Sequence, residues 1–452
     1  MGGVTPLGAL PSSIAGEPFR ASERLDPYWD GVWQYGSHAQ WLSREHADRM
    51  AAAGIAVRMP PHLRRSPSVA ADRVRSDWKE KLDVLGVLSS WRTVTAEQAA
   101  AFAGVSPSSA SHLRTIGDLF ALDLIDTGHV SVPAATSAAS RGALYRPSAS
   151  TAFHTLIEPE MTYPEWVSVT GGTRFLTGGQ YDRHNVLTAE LALRLAEFVD
   201  IGTVLGERQA HVNTLAYTAC GLPAPPGRSQ QTADAVVVRP DGLRIAVETT
   251  ASVGATGFSR KAESWARTLA RRPLQESGLV VLFVITDRTN AGAGSRHSLG
   301  STVRKAVSRA VRLNPGVMSN RTAERMFVVD WREWFPARHL ASDDFLTMRA
   351  ERPSGVHGEW ETVDMLNALD VPTPAALPDR LAVMRNAAGL RGTPAQFRAR
   401  RRPVLHDIPL HRAGFPTVPA IEADHRTGVA RDDVSRARGS AGAILPPSRL
   451  RF

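Results

Sequence analysis

The sequence has very little cysteine, since Cys220 is the only one among 452 residues. A single cysteine excludes both an internal disulfide framework and a zinc site built from cysteine ligands. Long hydrophobic runs are also missing, because no apolar segment reaches the roughly 20 residues that a membrane-spanning helix needs. The N-terminus shows no signal-peptide pattern. We therefore expect a cytoplasmic protein without a membrane partner.

Several common catalytic motifs are absent as well. The chain has no G-x-x-x-x-G-K-[ST] phosphate loop, which argues against an ATPase. It contains neither an H-E-x-x-H nor a G-x-S-x-G motif. The lack of a His-x-His pair counts against a metal-dependent relaxase that nicks DNA through a tyrosine. The chemistry, if there is any, must come from another arrangement.

Positive charge is what the sequence has in excess. Lys and Arg number 53 against 44 Asp and Glu, giving a formal net charge of +9 and a pI near 10.2. Such a balance favours polyanionic partners, nucleic acid first, although an arginine-rich composition alone would also raise the pI. Apolar residues make up 43% of the chain, enough for a sizeable core. At roughly 150 residues per domain, the length predicts about three units.

The most informative stretch is a predicted β-hairpin. Asp234 precedes the apolar run 235–238, and an Asp-Gly turn at 241–242 leads to the alternating run 243–247, which ends on Glu248. In an antiparallel pair, the two acids would lie side by side at one end of the hairpin. Adjacent carboxylates repel each other, and a cation such as Mg²⁺ would compensate them and could activate water on a phosphodiester. The alternative is a surface hairpin whose end residues are solvated.

The segments around this hairpin predict an α/β domain. Its elements are a helix at 184–199, a strand at 201–205, the two hairpin strands, a helix at 259–270, a fully buried strand at 278–286, a helix at 301–312 and a strand at 326–329. The predicted order is therefore helix, three strands, helix, strand, helix, strand.

This order and the hairpin resemble the PD-(D/E)xK nuclease superfamily, whose restriction-endonuclease-like core runs α-β-β-β-α-β. Asp234 and Glu248 match the acids that bind metal there. Thr250 stands where that superfamily has lysine, and Lys261, at the start of the next predicted helix, could supply the missing charge. The resemblance implies that the two acids hold Mg²⁺ or Mn²⁺ and that Lys261 orients water or stabilises the phosphorane charge.

Residues 76–135 predict a helix-turn-helix. A helix runs from Trp78 to Trp91, with leucines on one face. Thr95 can cap a second helix in a capping box with Gln98, and this helix ends near Gly104. A third helix is predicted to begin with Ser106 as its cap and Pro107 in the first helical position.

The segment after these helices predicts a wing. Leu122 to Val132 alternates around a Thr-Gly turn at 127–128, which suits two strands and resembles a winged helix. In that fold the third helix would present a set of polar residues to the DNA major groove, namely Ser108, Ser109, Ser111, His112 and Arg114. The alternative is a winged helix used for protein contact, because the helix is weakly basic and carries Asp118.

A narrower resemblance covers residues 80 to 290. The chain is similar to the replication-relaxation family of plasmid and phage proteins, which joins a winged helix to a nuclease-like domain. The matching positions are His184 at a helix start, Glu207 after a short strand, Asp234, Glu248, and Lys261 with Trp265 in the next helix. Two departures are Ala233, where the family usually has proline, and Thr250, where an acid or lysine is common. The resemblance implies that Glu207 assists catalysis and makes His184 and Thr250 further candidates.

The two ends of the chain look irregular. Residues 1–75 read as an arm and linker with aromatics that we expect to pack against a neighbouring domain, to stack on bases or to bind a protein partner, namely Tyr28, Trp29, Trp33, Tyr35 and Trp41. Residues 341–452 form a Pro- and Arg-rich extension, and their last part, 391–452, carries a net charge of +7. Its densest basic run is expected to grip phosphate or to be a solvated tail, and contains Arg398, Arg400, Arg401 and Arg402.

The sequence thus predicts four units: an arm at 1–75, a winged helix at 76–135, a nuclease-like α/β domain at 136–340 and an extension at 341–452. The leading hypothesis is a protein that binds double-stranded DNA in replication or transfer of a mobile element, with metal-dependent phosphodiester cleavage. The first alternative is a non-enzymatic replication initiator or transcription regulator with an inactive nuclease-like scaffold. The second is an assembly partner that uses the aromatic arm.

Overall fold

The computed structural model describes residues 3–11, 21–57, 59–131, 143–171, 174–179, 181–217, 220, 231–251, 257–287, 293–354, 359–373 and 391–395. These residues form a mixed α/β protein, as the sequence predicted. The strands are β1 (Val4–Pro6), β2 (His38–Leu42), β3 (Val94–Thr95), β4 (Ile125–Ser131), β5 (Ala143–Pro147), β6 (Thr203–Gly206), β7 (Ala235–Val238), β8 (Arg244–Thr250), β9 (Leu279–Ile285), β10 (Gly316–Val317), β11 (Asn320–Arg321), β12 (Met326–Asp330), β13 (Leu340–Ser342), β14 (Arg349–Pro353) and β15 (Trp360–Asp364).

The helices connect these strands and cover their faces. They are α1 (Arg44–Ala52), α2 (Pro67–Asp72), α3 (Trp78–Trp91), α4 (Ala96–Ala103), α5 (Ala110–Ala121), α6 (Tyr163–Thr170), α7 (Asp182–Phe198), α8 (Val212–Ala216), α9 (Gly257–Arg271), α10 (Leu274–Ser277), α11 (Ala293–Leu313), α12 (Trp331–Trp334) and α13 (Asp343–Leu346). Within the ranges described, no helix has the length and apolar character needed to cross a membrane.

A seven-stranded sheet organises the larger part of the molecule, with the strand order β15-β14-β12-β9-β8-β7-β6. β8, β9 and β12 run parallel because α9 and α11 carry the chain back between them, whereas the outer pairs are antiparallel. Every residue of β8 and β9 is buried, which explains the continuous apolar sequence of β9, whereas β8 also carries Arg244, Glu248 and two threonines into the interior. The predicted order from α7 to β12 is confirmed, with α8, α10 and the small β10–β11 pair as short additions.

A smaller antiparallel sheet has the order β2-β4-β5-β3 and packs with α3, α4 and α5. The predicted turn at Thr127-Gly128 is wrong, since both residues lie inside β4. Gly128 serves close packing there, because a Cβ at this position would lie 2.7 Å from the ring of Trp41 and 2.5 Å from a backbone oxygen of β2. β4 pairs with β2 on one side and on the other with β5, which lies beyond residue 135.

The helical signals in this region gave mixed results. α3 spans the predicted residues, and α4 carries the predicted capping box between Thr95 and Gln98 and ends at Gly104 with a φ of 73°. The predicted start of the third helix at Ser106 is wrong. α5 begins after Ser109, whose hydroxyl accepts the amide of His112 at 3.2 Å. Ser109, and not Ser106, therefore forms the capping bond.

The N-terminal segment is structured, contrary to the expected irregular arm. β1 pairs with β13 and β2 forms an edge of the smaller sheet. A fully buried charge cluster fixes the segment to α7: Arg24 pairs with Glu190 and Glu197 at 3.1 Å each, and Arg194 pairs with Asp26 at 2.9 Å. Each of these charges has an opposite partner, which burial requires.

The first part of the C-terminal extension also belongs to the fold. Residues 341–452 were expected to be irregular, but β14 and β15 extend the large sheet to Asp364. Their sequences lack a long apolar run because they lie at one edge of the sheet and are only partly buried. Residues 391–395 pack on α3, where Arg391 pairs with Asp83 at 3.1 Å and Gly392 accepts from the indole of Trp91 at 2.8 Å.

Candidate functional site

Asp234 and Glu248 lie together at one end of the β7–β8 hairpin, where the sequence placed them. The backbone amide of Asp234 donates to the carbonyl of Val247 at 3.0 Å. The amide of Thr249 returns a 2.6 Å hydrogen bond to Oδ2 of Asp234. These backbone bonds fix the Asp234 carboxylate beside the strand that carries Glu248.

Glu248 is fully buried and bonded by two side chains of α9. Nε1 of Trp265 donates to its Oε1 at 2.6 Å, and Nζ of Lys261 forms an ion pair with its Oε2. Burial raises the pKa of Glu248 to about 7, since the nearby charge of Asp234 reinforces burial and Lys261 offsets it only in part. Burial alone would lower the pKa of Lys261, but Glu248 and Asp234 raise it. One of the two neighbouring carboxyls therefore resists ionising.

Asp234 has a basic partner of its own. Nε2 of His184, from the first turn of α7, lies 3.1 Å from Oδ2 of Asp234. Burial alone would lower the pKa of His184, but the ion pair with Asp234 outweighs it and the pKa is raised. The pKa of Asp234 is correspondingly lowered by His184 and Lys261, against the effect of burial. Among the described residues, Oδ1 of Asp234 accepts no hydrogen bond.

These groups surround one cavity of about 1120 Å³. Asp234, His184 and Lys261 line it, while Glu248 lies behind them without exposed surface. Glu207 and Thr250 line the same cavity. Burial, together with the nearby charge of Asp234, raises the pKa of Glu207. The structure therefore brings together every candidate named for the nuclease-like site.

Thr250 does not replace a lysine. Its side chain is buried and neutral, and its backbone carbonyl accepts the amide of Thr286 at 2.8 Å. The charge that Thr250 lacks is present on Lys261, whose side chain is 39% exposed and so reaches both Glu248 and the cavity. Within the described part of the chain, no group of three or more His, Cys, Asp or Glu side chains is arranged to hold a metal.

Arg260 and Tyr181 are among the cavity residues that the sequence analysis did not single out. Arg260 lines the cavity next to Lys261, and the Arg-Lys pair at the start of α9 was the signal for it. Tyr181 lines the mouth, is 79% exposed and has a φ of 59°, which is rare for a tyrosine. Only the unusual backbone reveals Tyr181, and no sequence pattern predicts it.

The candidate DNA-reading residues of α5 mostly face the protein. His112 is 1% exposed, and its Nδ1 lies 3.0 Å from Glu80. The hydroxyl of Ser111 donates to the same carboxylate at 2.9 Å, and Arg114 pairs with Asp77 at 2.9 Å. These contacts hold the polar side chains of α5 against α3 and its N-terminal turn.

The N-terminal segment also covers part of α5. The short 3-10 helix Pro61–Arg64 and α2 pack on it, and a Cβ on Gly117 would lie 2.2 Å from the carbonyl oxygen of His62. Ser108 is exposed in the turn before the helix, and Ser109 is used as its cap. The exposed surface of this helix is therefore smaller than its sequence suggests.

The aromatic cluster of the N-terminal segment packs mainly inside the molecule. Tyr28 stacks on Trp331 at a ring distance of 5.6 Å, and the buried Trp33 donates to the carbonyl of Thr286 at 2.8 Å. These two rings have no free face for a base. Tyr35, at 79% exposure, is the most exposed of the five.

The basic run at the C-terminus, Arg398, Arg400, Arg401 and Arg402, lies outside the described residues, so its contact with phosphate stays a prediction. Comparisons of the chain with protein-family models, with curated proteins and with solved structures return no match. The argument for function therefore depends on the geometry of the cavity.

Proposed function

We propose that this chain is a cytoplasmic DNA-binding protein that acts in replication or transfer of a mobile element, with metal-dependent phosphodiester cleavage in the cavity. The observation that carries the proposal is the meeting of Asp234, Glu248 and Lys261 at one edge of the sheet. Two acids and a lysine beside a cavity of about 1120 Å³ suit a phosphodiester substrate.

The architecture supports the same proposal. The run from α7 through β6, β7, β8, α9, β9 and α11 to β12 has the element order of a restriction-endonuclease-like domain. α4 and α5 next to the β4–β5 pair have the layout of a winged helix. We propose these two domain types as the finer description of the fold.

The donor set fits a hard divalent cation. Carboxylate oxygens are the ligands that Mg²⁺ and Mn²⁺ prefer, and Oδ1 of Asp234 accepts no hydrogen bond from the described residues. Asp234 and Glu248 would hold the ion. Glu248 would first have to release Lys261, because its two oxygens are bonded to Trp265 and Lys261. Such an ion supplies a Lewis acid for the phosphate and makes a water nucleophile available at neutral pH.

The other side chains act on charge and position. Lys261 holds Glu248 in place and carries a positive charge at the cavity, where it would stabilise negative charge on a phosphate in the role that Thr250 cannot fill. His184 holds Asp234 in position through the contact between Nε2 and Oδ2. Glu207 lines the same cavity, and burial together with the charge of Asp234 raises its pKa.

The test is a cleavage and metal-binding assay. Wild-type protein with Mg²⁺ or Mn²⁺ should cut at least one of supercoiled, linear or single-stranded DNA, and its melting temperature should rise with the metal. Asp234→Asn and Glu248→Gln should abolish both effects. Lys261→Ala should abolish cleavage and keep the metal-induced shift, because lysine is no ligand for a hard cation.

Lys79→Ala is the matched control, since it removes an exposed lysine that pairs with Asp83 and does not line the cavity. It should leave cleavage and melting unchanged. A wild-type protein with neither a metal-dependent shift nor cleavage of any DNA form would refute the catalytic part of the proposal.

The second candidate is a non-enzymatic initiator or transcription regulator with an inactive nuclease-like scaffold. It is favoured by the pairing of each carboxylate with a cation of the chain itself, His184 for Asp234 and Lys261 for Glu248. These pairs leave less negative charge for a metal to neutralise. DNA binding without a metal-dependent shift would select this candidate, and no DNA binding at all would point to the assembly role.

A further inference from the structure

α11 exposes a basic stripe on one face. Lys305, Arg309 and Arg312 are exposed and spaced by four and three residues, so they lie along the same side of the helix. Arg304 pairs with Glu351 at 2.8 Å, whereas none of these three forms an ion pair within the part of the chain that the structure describes. Three unpaired cations on one face attract an anion that is itself extended.

The stripe borders cavities that are linked to the candidate active site through shared lining residues. Arg309 lines both a cavity of about 870 Å³ beside α11 and one of about 310 Å³ between α9 and α11. Arg260 lines this second cavity and also the large cavity that contains Lys261. Each neighbouring pair of cavities therefore shares a basic residue, and we call the three cavities together the furrow.

Fewer acidic than basic residues line the two smaller cavities, three against five. Glu263 pairs with Arg267 at 2.9 Å. Asp330 caps α12, and burial raises its pKa and that of Glu333. The furrow thus carries a net positive character from Arg312 to the active-site cavity.

The dimensions suit a nucleic-acid strand. Lys305 and Arg312 are separated by about 10 Å along the helix axis, given a rise of 1.5 Å per residue. At 3.4 Å per nucleotide along one strand, this distance corresponds to about three nucleotides. Ser301 and Ser308 line the same part of the furrow and can donate to phosphate oxygens.

We propose that a nucleic-acid strand lies along this furrow, with its backbone on Lys305, Arg309 and Arg312, and enters the active-site cavity past Arg260. The inference rests on the proposed function, because it supplies the path of the substrate to the cleavage site. It gives the α9–α11 face a larger part in DNA binding than α5.

The test compares two triple variants of the full chain. Lys305→Ala, Arg309→Ala and Arg312→Ala are combined in the first. The second combines Arg49→Ala, Lys79→Ala and Arg321→Ala, which remove the same charge from exposed residues that already have acidic partners. Affinity for a labelled 30-nucleotide single strand and a 30-base-pair duplex is measured between 50 and 300 mM salt, and unfolding is checked for both variants.

The furrow variant should reduce the slope of log K against log salt by about 2 to 3 on at least one of the DNAs, because three phosphate contacts are lost. The control should keep the wild-type slope. Equal slopes for both variants, with wild-type binding intact, would overturn the furrow and leave the proposed function standing. A wild-type protein that binds neither DNA would overturn both proposals. Binding to phosphatidylserine vesicles that only the furrow variant loses, without an effect on DNA, would also overturn the furrow.

Discussion

The α5 region and the hairpin end both carry the polar residues from which a function was predicted, but the fold treats them differently. The polar side chains of α5 contact acids of α3 and of the residue before it: Ser111 and His112 contact Glu80, and Arg114 contacts Asp77. At the hairpin end, Asp234 and Lys261 face a cavity of about 1120 Å³ while also contacting partners of their own. The first set holds α5 against α3, and the second set is accessible to a ligand in the cavity.

Helical spacing predicts which residues share one face of a helix, but it does not predict whether another segment covers that face. On α5, the short 3-10 helix Pro61–Arg64 and α2 pack against the helix, and both are distant from it in sequence. The hairpin end depends on a two-strand register, which its turn fixes locally. Predictions that remove a side chain from one region or the other can separate structural from functional roles.

The largest effect is expected on the structural side, from Asp118→Ala. Asp118 is buried in α5 and pairs with Arg65 at 2.8 Å and with Lys81 at 3.3 Å. Its loss leaves the buried Lys81 without a carboxylate, which should lower the free energy of unfolding by about 3 kcal/mol. Urea unfolding measures this loss. Ser108→Ala, in the exposed turn before α5, is the control and should change stability little. A loss below about 1 kcal/mol for Asp118→Ala would mean that α5 is not held by its charges.

A smaller effect should distinguish the two regions by the sign of a pH dependence. Burial lowers the pKa of His112 despite the opposing charge of Glu80, whereas the pKa of His184 is raised because Asp234 outweighs burial. The contribution of His112 is therefore present above its ordinary pKa and is lost as pH falls through the lowered value. The contribution of His184 is present below its ordinary pKa and is lost as pH rises through the raised value.

Unfolding of His112→Gln and His184→Gln between pH 5 and 9 checks these signs. The stability difference from wild type should grow with pH for His112→Gln and shrink with pH for His184→Gln. Each slope is limited to about 1.4 kcal/mol per pH unit, the value for one proton. Slopes of the same sign would contradict the assignment of the two histidines to different electrostatic environments.

The smallest effect concerns the start of α5. Ser109→Ala removes the capping bond to His112 and should cost about 1 kcal/mol of stability. Ser106→Ala removes the residue that the sequence favoured as cap and should stay within about 0.5 kcal/mol of wild type. Thermal unfolding of the two variants shows which serine caps α5. A larger loss of stability for Ser106→Ala than for Ser109→Ala would mean that the helix begins after Ser106, as the sequence predicted.

Local signals made much of the fold predictable. The Asp-Gly turn and its flanking apolar runs gave the hairpin, and Thr95, Gln98 and Gly104 gave both ends of α4. The place of Lys261 beside Glu248 followed from a resemblance together with helix spacing. These features depend on residues that are close in sequence.

What the sequence could not provide depends on distant partners. The glycine at 128 suggested a turn, but it is needed because the ring of Trp41 leaves no room for a side chain there. Trp41 belongs to another strand, so the sequence around Gly128 does not show this contact. Residues 61–72 pack on α5 although they are distant from it in sequence. Strands β14 and β15 likewise join the large sheet through the pairing of β14 with β12. The exposed tyrosine at the cavity, Tyr181, depends on a backbone conformation that its residue type does not favour.

The pairing of β1 with β13 also has a consequence for synthesis. Val4 lies opposite Ser342, and the carbonyl of Arg24 lies 3.1 Å from Nε2 of His339, so the beginning of the chain finds these partners only after about 340 residues have left the ribosome. At roughly 5–20 residues per second, the first segment waits on the order of 15 to 70 seconds without them. During translation the N-terminal strand β1 therefore stays without its partner strand, and its pairing with β13 is a late step in the folding of the newly made chain.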